Sequence, residues 1–240
     1  MNNVESTIYN RFKDFQKRHV NGSGRMETIH VSDIVQECFR KSYYSMKFPA
    51  QVTDDQQMGI LYAGQAIHNF SRLGEIHEEV LCYDFVNNKP CTIDEVKEMT
   101  PEQRKNVITG APDDIILDDK LGIIISDKKT WFSNNYKKTT ANQSHIDQVN
   151  IYKWLLWRTK GLIANHAVIL YLDFFTRFKD PLPIEVELLD LMDIENMVME
   201  RIRILRSGLP PANPCYLCDG KNKDGRIYCS YKEICDKNET

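Results

Sequence analysis

The chain has 240 residues, 42% of them hydrophobic, with a mean hydropathy of −0.47 and a formal charge of −3. That length and apolar share suffice for one domain, or one domain with appendages, with its own core, and they exclude a disordered chain. The near-neutral charge excludes a general attraction to polyanions, so a nucleic acid would have to be met by a local patch or through metal ions.

No apolar run reaches the roughly 18 residues that a membrane helix needs, and the opening MNNVESTIYNRFKDFQKR lacks the apolar centre of a signal peptide. The expectation is an intracellular, cytoplasmic protein with no membrane partner. Ser32 is placed to cap a helix over DIVQECFRKSYYSM, which would set Cys38 in mid-helix. A second helix is expected over about 54 to 71, where Met58, Leu61, Ala66 and Ile67 recur at helical spacing and His68 falls near the end. Segment 94 to 106 is polar and broken by Pro101, and reads as a loop or short helix.

VITGAPDDIIL and LGIIISDKKTW read as two strands of a hairpin, with DDK and Gly122 at the turn. Residues 141 to 160 carry Ile146, Val149, Tyr152 and Leu156 on one stripe, a helix that Gly161 can end. NHAVILYLDFF then reads as a buried strand and PIEVELL as a half-exposed one. Asp190 caps a last long helix to about Arg206, on which Arg201, Arg203 and Arg206 read as a solvated face. The tail LPPANPCYLCDGKNKDG is too rich in Pro, Gly and Asn to hold a shape by burial alone. This order predicts an α/β sheet with flanking helices.

The hairpin holds an unusual concentration of acid. Side chains two apart on a strand share a face, so Asp127 and Lys129 project together while Lys128 points away, and Asp113 lies across the hairpin from them. Two carboxylates this close repel unless a cation neutralises them, and such oxygen donors suit Mg²⁺ or Mn²⁺. The bland reading is an edge studded with charge against aggregation, for which Pro112 is also suited. Gln148 and Tyr152 stand one helical turn apart on the helix after the hairpin, either as a surface amide and a core tyrosine or as part of the same site. Between them and the hairpin, Trp131, Phe132, Tyr136, Lys137 and Lys138 could stack bases and meet phosphates of single-stranded or frayed DNA, or simply anchor a solvated loop.

Taken in order, Gly64 to His68 (GxxxH), Gly110 to Asp113 (GxxD), Asp127-Lys128-Lys129-Thr130 (D-x-K-T) and Gln148 to Tyr152 (QxxxY) resemble the RecB-type branch of the PD-(D/E)xK nucleases. The resemblance implies a restriction-endonuclease-like core in which His68, Asp113 and Asp127, with the carbonyl of Lys128, hold a divalent metal. It further implies that Lys129 assists the attacking water and that Gln148 and Tyr152 position DNA or the lysine. Asp127 stands where Glu is commoner, and Asp114 is expected to be merely solvated.

Seven cysteines, four of them in the last 26 residues, point in an intracellular chain to metal rather than disulfides. The stretch around Cys38, Arg40, Lys41, Tyr43 and Tyr44, with the ending Cys229-x5-Cys235, is similar to CRISPR-associated exonucleases of the Cas-four type and to the related AddB nuclease domain. That similarity implies a [4Fe–4S] cluster on Cys38, Cys218, Cys229 and Cys235, with Cys215 as the substitute for Cys218, clasping the two ends of the chain. Ten residues between Cys218 and Cys229 depart from the family's spacing. A closed Zn²⁺ knuckle of Cys215, Cys218, Cys229 and Cys235 is the competing reading, while Cys82 and Cys91 read as small buried hydrophobes.

The expectation is one nuclease domain over 1–240, with a core at about 54–208, an N-terminal helical part at 1–53 and a cysteine-rich tail at 209–240. Its activity would be that of a Mg²⁺- or Mn²⁺-dependent DNA exonuclease acting in CRISPR adaptation or in viral or repair DNA processing, with an integrase or helicase as possible protein partners. The alternatives are a non-catalytic DNA-end-binding subunit and a zinc-knuckle nucleic-acid adaptor.

Overall fold

The computed structural model describes residues 27–36, 38–48, 73–130, 139–172, 181–207, 231, 234 and 235. All of them fall in one compact unit built from 27–49 and 73–240. The helix expected over 54 to 71, with His68, lies outside the described residues, as do Cys215, Cys218, Cys229 and the aromatic stretch from Trp131 to Lys138.

In chain order the elements are β1 (Ile29–His30), α1 (Val31–Ile34), α2 (Phe39–Lys47), β2 (Ile76–His77), β3 (Leu81–Asp84) and β4 (Lys89–Cys91). They continue with α3 (Ile93–Glu98), α4 (Pro101–Arg104), β5 (Val107–Gly110), β6 (Asp114–Asp118) and β7 (Gly122–Thr130). The last are α5 (Gln143–Lys160), β8 (His166–Leu172), β9 (Leu182–Val186) and α6 (Leu191–Arg206). The strands form a four-stranded sheet in the order β1-β5-β3-β4 and a five-stranded sheet in the order β2-β6-β7-β8-β9.

The segment read as one strand, VITGAPDDIIL, divides between the two sheets. β5 ends at Gly110, and Pro112, which has no N–H to give to a ladder, stands before β6 opens at Asp114. Gly110 is needed where the chain turns away: a Cβ there would meet Val31 Cγ2 at 2.6 Å and Tyr152 Cε1 at 2.9 Å. The hairpin itself is as expected, with Asp118 opposite Gly122 and Ile115 opposite Ile125. The next described element after β7 is α5, and β8 follows it parallel to β7; a crossover helix is what a parallel neighbour requires. Trp154, Leu155 and Leu156 of α5 pack fully buried with Ile115, Ile125 and Ile169 of the sheet, and this places the polar start of α5 beside the end of β7.

The helix expected to run from Ser32 past Cys38 is two helices. Its cap is His30, whose Nδ1 accepts from Ser32 N at 3.2 Å while its own N–H donates to Asp33 Oδ2 at 3.0 Å, so the first helix begins at Val31. Cys38, with an extended backbone, is the N-cap of α2 and not a mid-helix residue. Pro101 opens α4, because its missing N–H costs nothing in a first turn; Thr100 and Gln103 close the capping box around it. Gly161 (φ 68°) ends α5 and Asp190 caps α6, both as read from sequence. Arg203 is on an exposed face with Glu200, but Arg201 is not solvated in that sense. It donates to Asp147 Oδ2 of α5 at 2.7 Å and to Ile34 O of α1 at 3.3 Å, tying three helices together. Among the described residues no helix is long and apolar enough to cross a membrane.

Candidate active site

The site grows from the alternation of β7. Asp127 and Lys129 share a face, and Lys129 Nζ lies 2.7 Å from Asp127 Oδ2. Lys128, on the other face, is 0% exposed and meets Asp114 Oδ2 at 2.5 Å. Asp113, just ahead of β6, is aimed by the backbone of the facing strand: its Oδ2 accepts from Lys128 N at 2.5 Å. From α5, Gln148 Nε2 donates to Tyr152 Oη at 2.7 Å.

Electrostatics ties the two carboxylates to that tyrosine. Burial first, then the charge of Asp127 and to a lesser degree that of Asp113, push the Tyr152 phenol well above its usual range, against the Gln148 bond. The Tyr171 phenol of β8 is pushed up as well, by burial and more weakly by Asp127, against a hydrogen bond from Asn142 N. Asp113, Asp127, Lys129, Gln148 and Tyr152 are therefore brought together, and both carboxylates are buried, at 7% and 1% exposure.

Buried carboxylate oxygens beside a single exposed-side ammonium are hard donors that fit a divalent cation. Among the described residues no three His, Cys, Asp or Glu side chains group as a metal cage would. The third protein donor expected from the sequence, His68, is outside the described residues. Lys128, expected to offer its carbonyl, is fixed by its amide on Asp113 and by its ammonium on Asp114.

Asp114 corrects the sequence reading, which left it solvated. It is 0% exposed and accepts from Leu73 N at 2.9 Å and Gly74 N at 3.2 Å, with His77 Nδ1 at 3.0 Å. Burial alone would raise its carboxyl; the Lys128 ammonium, Leu73 N, His77 and Gly74 N outweigh it and hold the group below the usual carboxylate range. His77 was not singled out from sequence, since it stands in a two-residue strand within a polar stretch and belongs to no spaced motif.

Cys38 and Cys235 are both buried, and Cys235 packs with Tyr43 and Tyr44, on the helix that Cys38 opens. Tyr231 stacks on Tyr44 with 6.3 Å between ring centroids and donates to Phe48 O at 3.0 Å, so Tyr231 and Cys235 dock on α2. Cys82 and Cys91 face each other across β3 and β4. Burial, with Cys91 adding, pushes the Cys82 thiol up to about 12, which fits an inert core thiol; Cys91 is only partly buried.

No family model and no curated protein matches the sequence. Among solved structures the chain is similar to the crystal structure of SSO0001, with a TM-score of 0.58 and 20% identity over 97% of this chain and 98% of that one. The fold is mixed α/β, with two sheets and flanking helices. That likeness, one of fold, extends along nearly the whole of both chains. An alkaline exonuclease, LHK-Exo from Laribacter hongkongensis, overlaps at a TM-score of 0.36 and 11% identity over 77% of this chain and 91% of its own.

Proposed function

We propose that this chain is a divalent-metal-dependent deoxyribonuclease that degrades DNA from its ends. The observation that carries this reading is the convergence of buried Asp113 and Asp127 near Tyr152, with the Lys129 ammonium 2.7 Å from Asp127. Asp113, Asp127 and His68, with the Lys128 carbonyl, would hold Mg²⁺ or Mn²⁺. When bound, such an ion polarises a phosphate oxygen and lowers the pKa of a water.

The chain's own groups do the rest. Lys129, 20% exposed at its side chain, reaches solvent from the edge of the pair, where it can orient a water and stabilise negative charge gathering on the phosphate. Asp127 holds that ammonium in place. Tyr152 keeps its proton at working pH and, with Gln148, gives the site a fixed polar wall. Purified anaerobically, the protein is expected to degrade end-labelled linear DNA, single-stranded or frayed duplex, with Mg²⁺ or Mn²⁺ and to stop in chelator. Binding without cleavage under all these conditions would overturn the reading in favour of a non-catalytic DNA-end-binding subunit.

A [4Fe–4S] cluster on Cys38, Cys229, Cys235 and one of Cys218 and Cys215 is supported by one observation: the buried thiols of Cys38 and Cys235 both lie at α2, one opening it and one packed on its tyrosines. A cluster there would tie the end of the chain to its N-terminal helices without touching the cutting site. The anaerobic protein is expected to be brown, with broad visible absorption and about four irons per chain. A colourless protein with stoichiometric zinc would replace this with the closed Cys215, Cys218, Cys229 and Cys235 knuckle.

A further inference from the structure

Next to the paired carboxylates a cavity of about 240 Å³ opens between α1, β7 and the first turn of α5, with Ser32, Gln36, Lys129, Ser144, His145 and Gln148 on its polar walls. Of these only Lys129 and Gln148 belong to the motifs read from sequence. The walls are held from behind: Ser32 Oγ lies 2.9 Å from His30 Nδ1, and His145 Nδ1 lies 2.8 Å from Tyr171 Oη, which Asn142 N holds at 3.1 Å. Gln148 is anchored on Tyr152 and Lys129 on Asp127, at 2.7 Å each. Ser32, Lys129, His145 and Gln148, fixed in this way, give the cavity a largely preformed wall, so a ligand need not bear the entropy of ordering those four.

The chemistry of that surface is selective. It combines one ammonium, one imidazole, two hydroxyls and two amides, and no carboxylate lines it among the described residues. Ser144 and His145 lie in the first turn of an 18-residue helix that has no acidic residue there, so the positive end of the helix is not offset by its own side chains. A cation would find no carboxylate to offset its charge and would meet the Lys129 ammonium, whereas a phosphodiester oxygen would find several donors. The volume equals about eight waters, room enough for a phosphate with its sugar.

We propose that this cavity binds the DNA backbone phosphate next to the one being cut, with His145, Ser144 and Gln36 as its contacts and Lys129 shared between the two phosphates. The inference rests on the nuclease reading and adds the subsite that sets where along the strand the cut falls. One bond of this charge-assisted kind is worth about a factor of ten in affinity or somewhat more.

Fluorescence anisotropy of the full chain in chelator, where no cutting occurs, tests it with end-labelled oligonucleotides that each carry one neutral methylphosphonate at successive positions from the end. In the wild type, one position beside the bond cut in Mn²⁺ is expected to weaken binding about tenfold. His145→Ala should weaken binding of unmodified DNA by a similar factor and make that position indifferent to the methylphosphonate. Gln36→Ala, on a different element, gives the same comparison if His145→Ala does not fold, and a thermal melt of each variant reports which applies. If both variants bind like the wild type and the position-dependent loss persists in them, the inference is overturned while the nuclease reading stands. If the wild type neither binds nor cuts DNA, both fall together.

Discussion

Asp127→Asn is expected to abolish DNA degradation, lowering the single-turnover rate by about a thousandfold or more at saturating Mn²⁺, equivalent to roughly 4 kcal/mol of transition-state stabilisation. Asparagine keeps the shape of the side chain and can still accept a hydrogen bond, but it removes the negative charge that a hard cation needs and that holds Lys129 Nζ at 2.7 Å. The loss would not come from unfolding. Asp127 is flanked by Asp113, so removing its charge also removes a repulsion, and its partner Lys129, whose side chain is 20% exposed, can turn to water and is not left as a buried unpaired charge. The melting temperature should therefore change little. Lys129→Met should fall in the same direction with metal binding retained, which separates the group that handles water from the group that holds the ion. A variant at 127 that kept more than a tenth of the wild-type rate would remove this carboxylate from the chemistry.

What the sequence made legible is what depends on local period and local caps. The alternation of Asp127, Lys128 and Lys129 along β7, the stripe on α5 and the ends of α5 and α6 at Gly161 and Asp190 each follow from a few neighbouring residues. Sheet membership does not. Nothing within VITGAPDDIIL states that its first four residues pair with β3 and β1 while Asp114 onwards pairs with β2 and β7. That division is made by Pro112 together with the crowding at Gly110, where Val31 and Tyr152 come from distant parts of the chain. The exchange of roles between two adjacent aspartates is the same problem at smaller scale. A strand sends Asp113 and Asp114 to opposite sides, and the GxxD interval chose Asp113 for the face of Asp127, but only the tertiary placement of Leu73, Gly74, His77 and Lys128 makes the other side a sealed interior instead of solvent. His145, Ser144 and Gln36 carry no motif, and they become neighbours of Lys129 only because the fold brings the first turn of α5 and the residues at and just after α1 to the same cavity. Arg201 was read by the polarity of its helix face, a signal that cannot register an acid on another helix.

Asp114→Asn is expected to destabilise the fold by about 3–5 kcal/mol, the usual result of leaving one member of a buried ion pair without its partner. Lys128 is 0% exposed, and its ammonium would face an amide where a carboxylate stood at 2.5 Å. The consequence reaches the candidate site through a single residue, because the amide of Lys128 also aims Asp113. A shift of this stretch of β7 would move both ends of the carboxylate pair, so metal affinity should drop along with stability. The double variant Asp114→Asn with Lys128→Met removes both charges together while the amide oxygen can still accept from Leu73 N and Gly74 N, and it should recover much of the lost stability. The pH dependence has a definite sign. The Asp114 carboxyl is held below its unfolded value of about 4, so its contribution is complete above that pH and disappears as the pH falls through the folded value. Urea melts between pH 3 and 7 should show a steep acid limb in the wild type and a shallower one in the double variant. An Asp114→Asn protein as stable as the wild type, with the same acid limb, would mean that this buried pair does not hold the hairpin, and the aim of Asp113 would then have to come from the backbone turn at Pro112 alone.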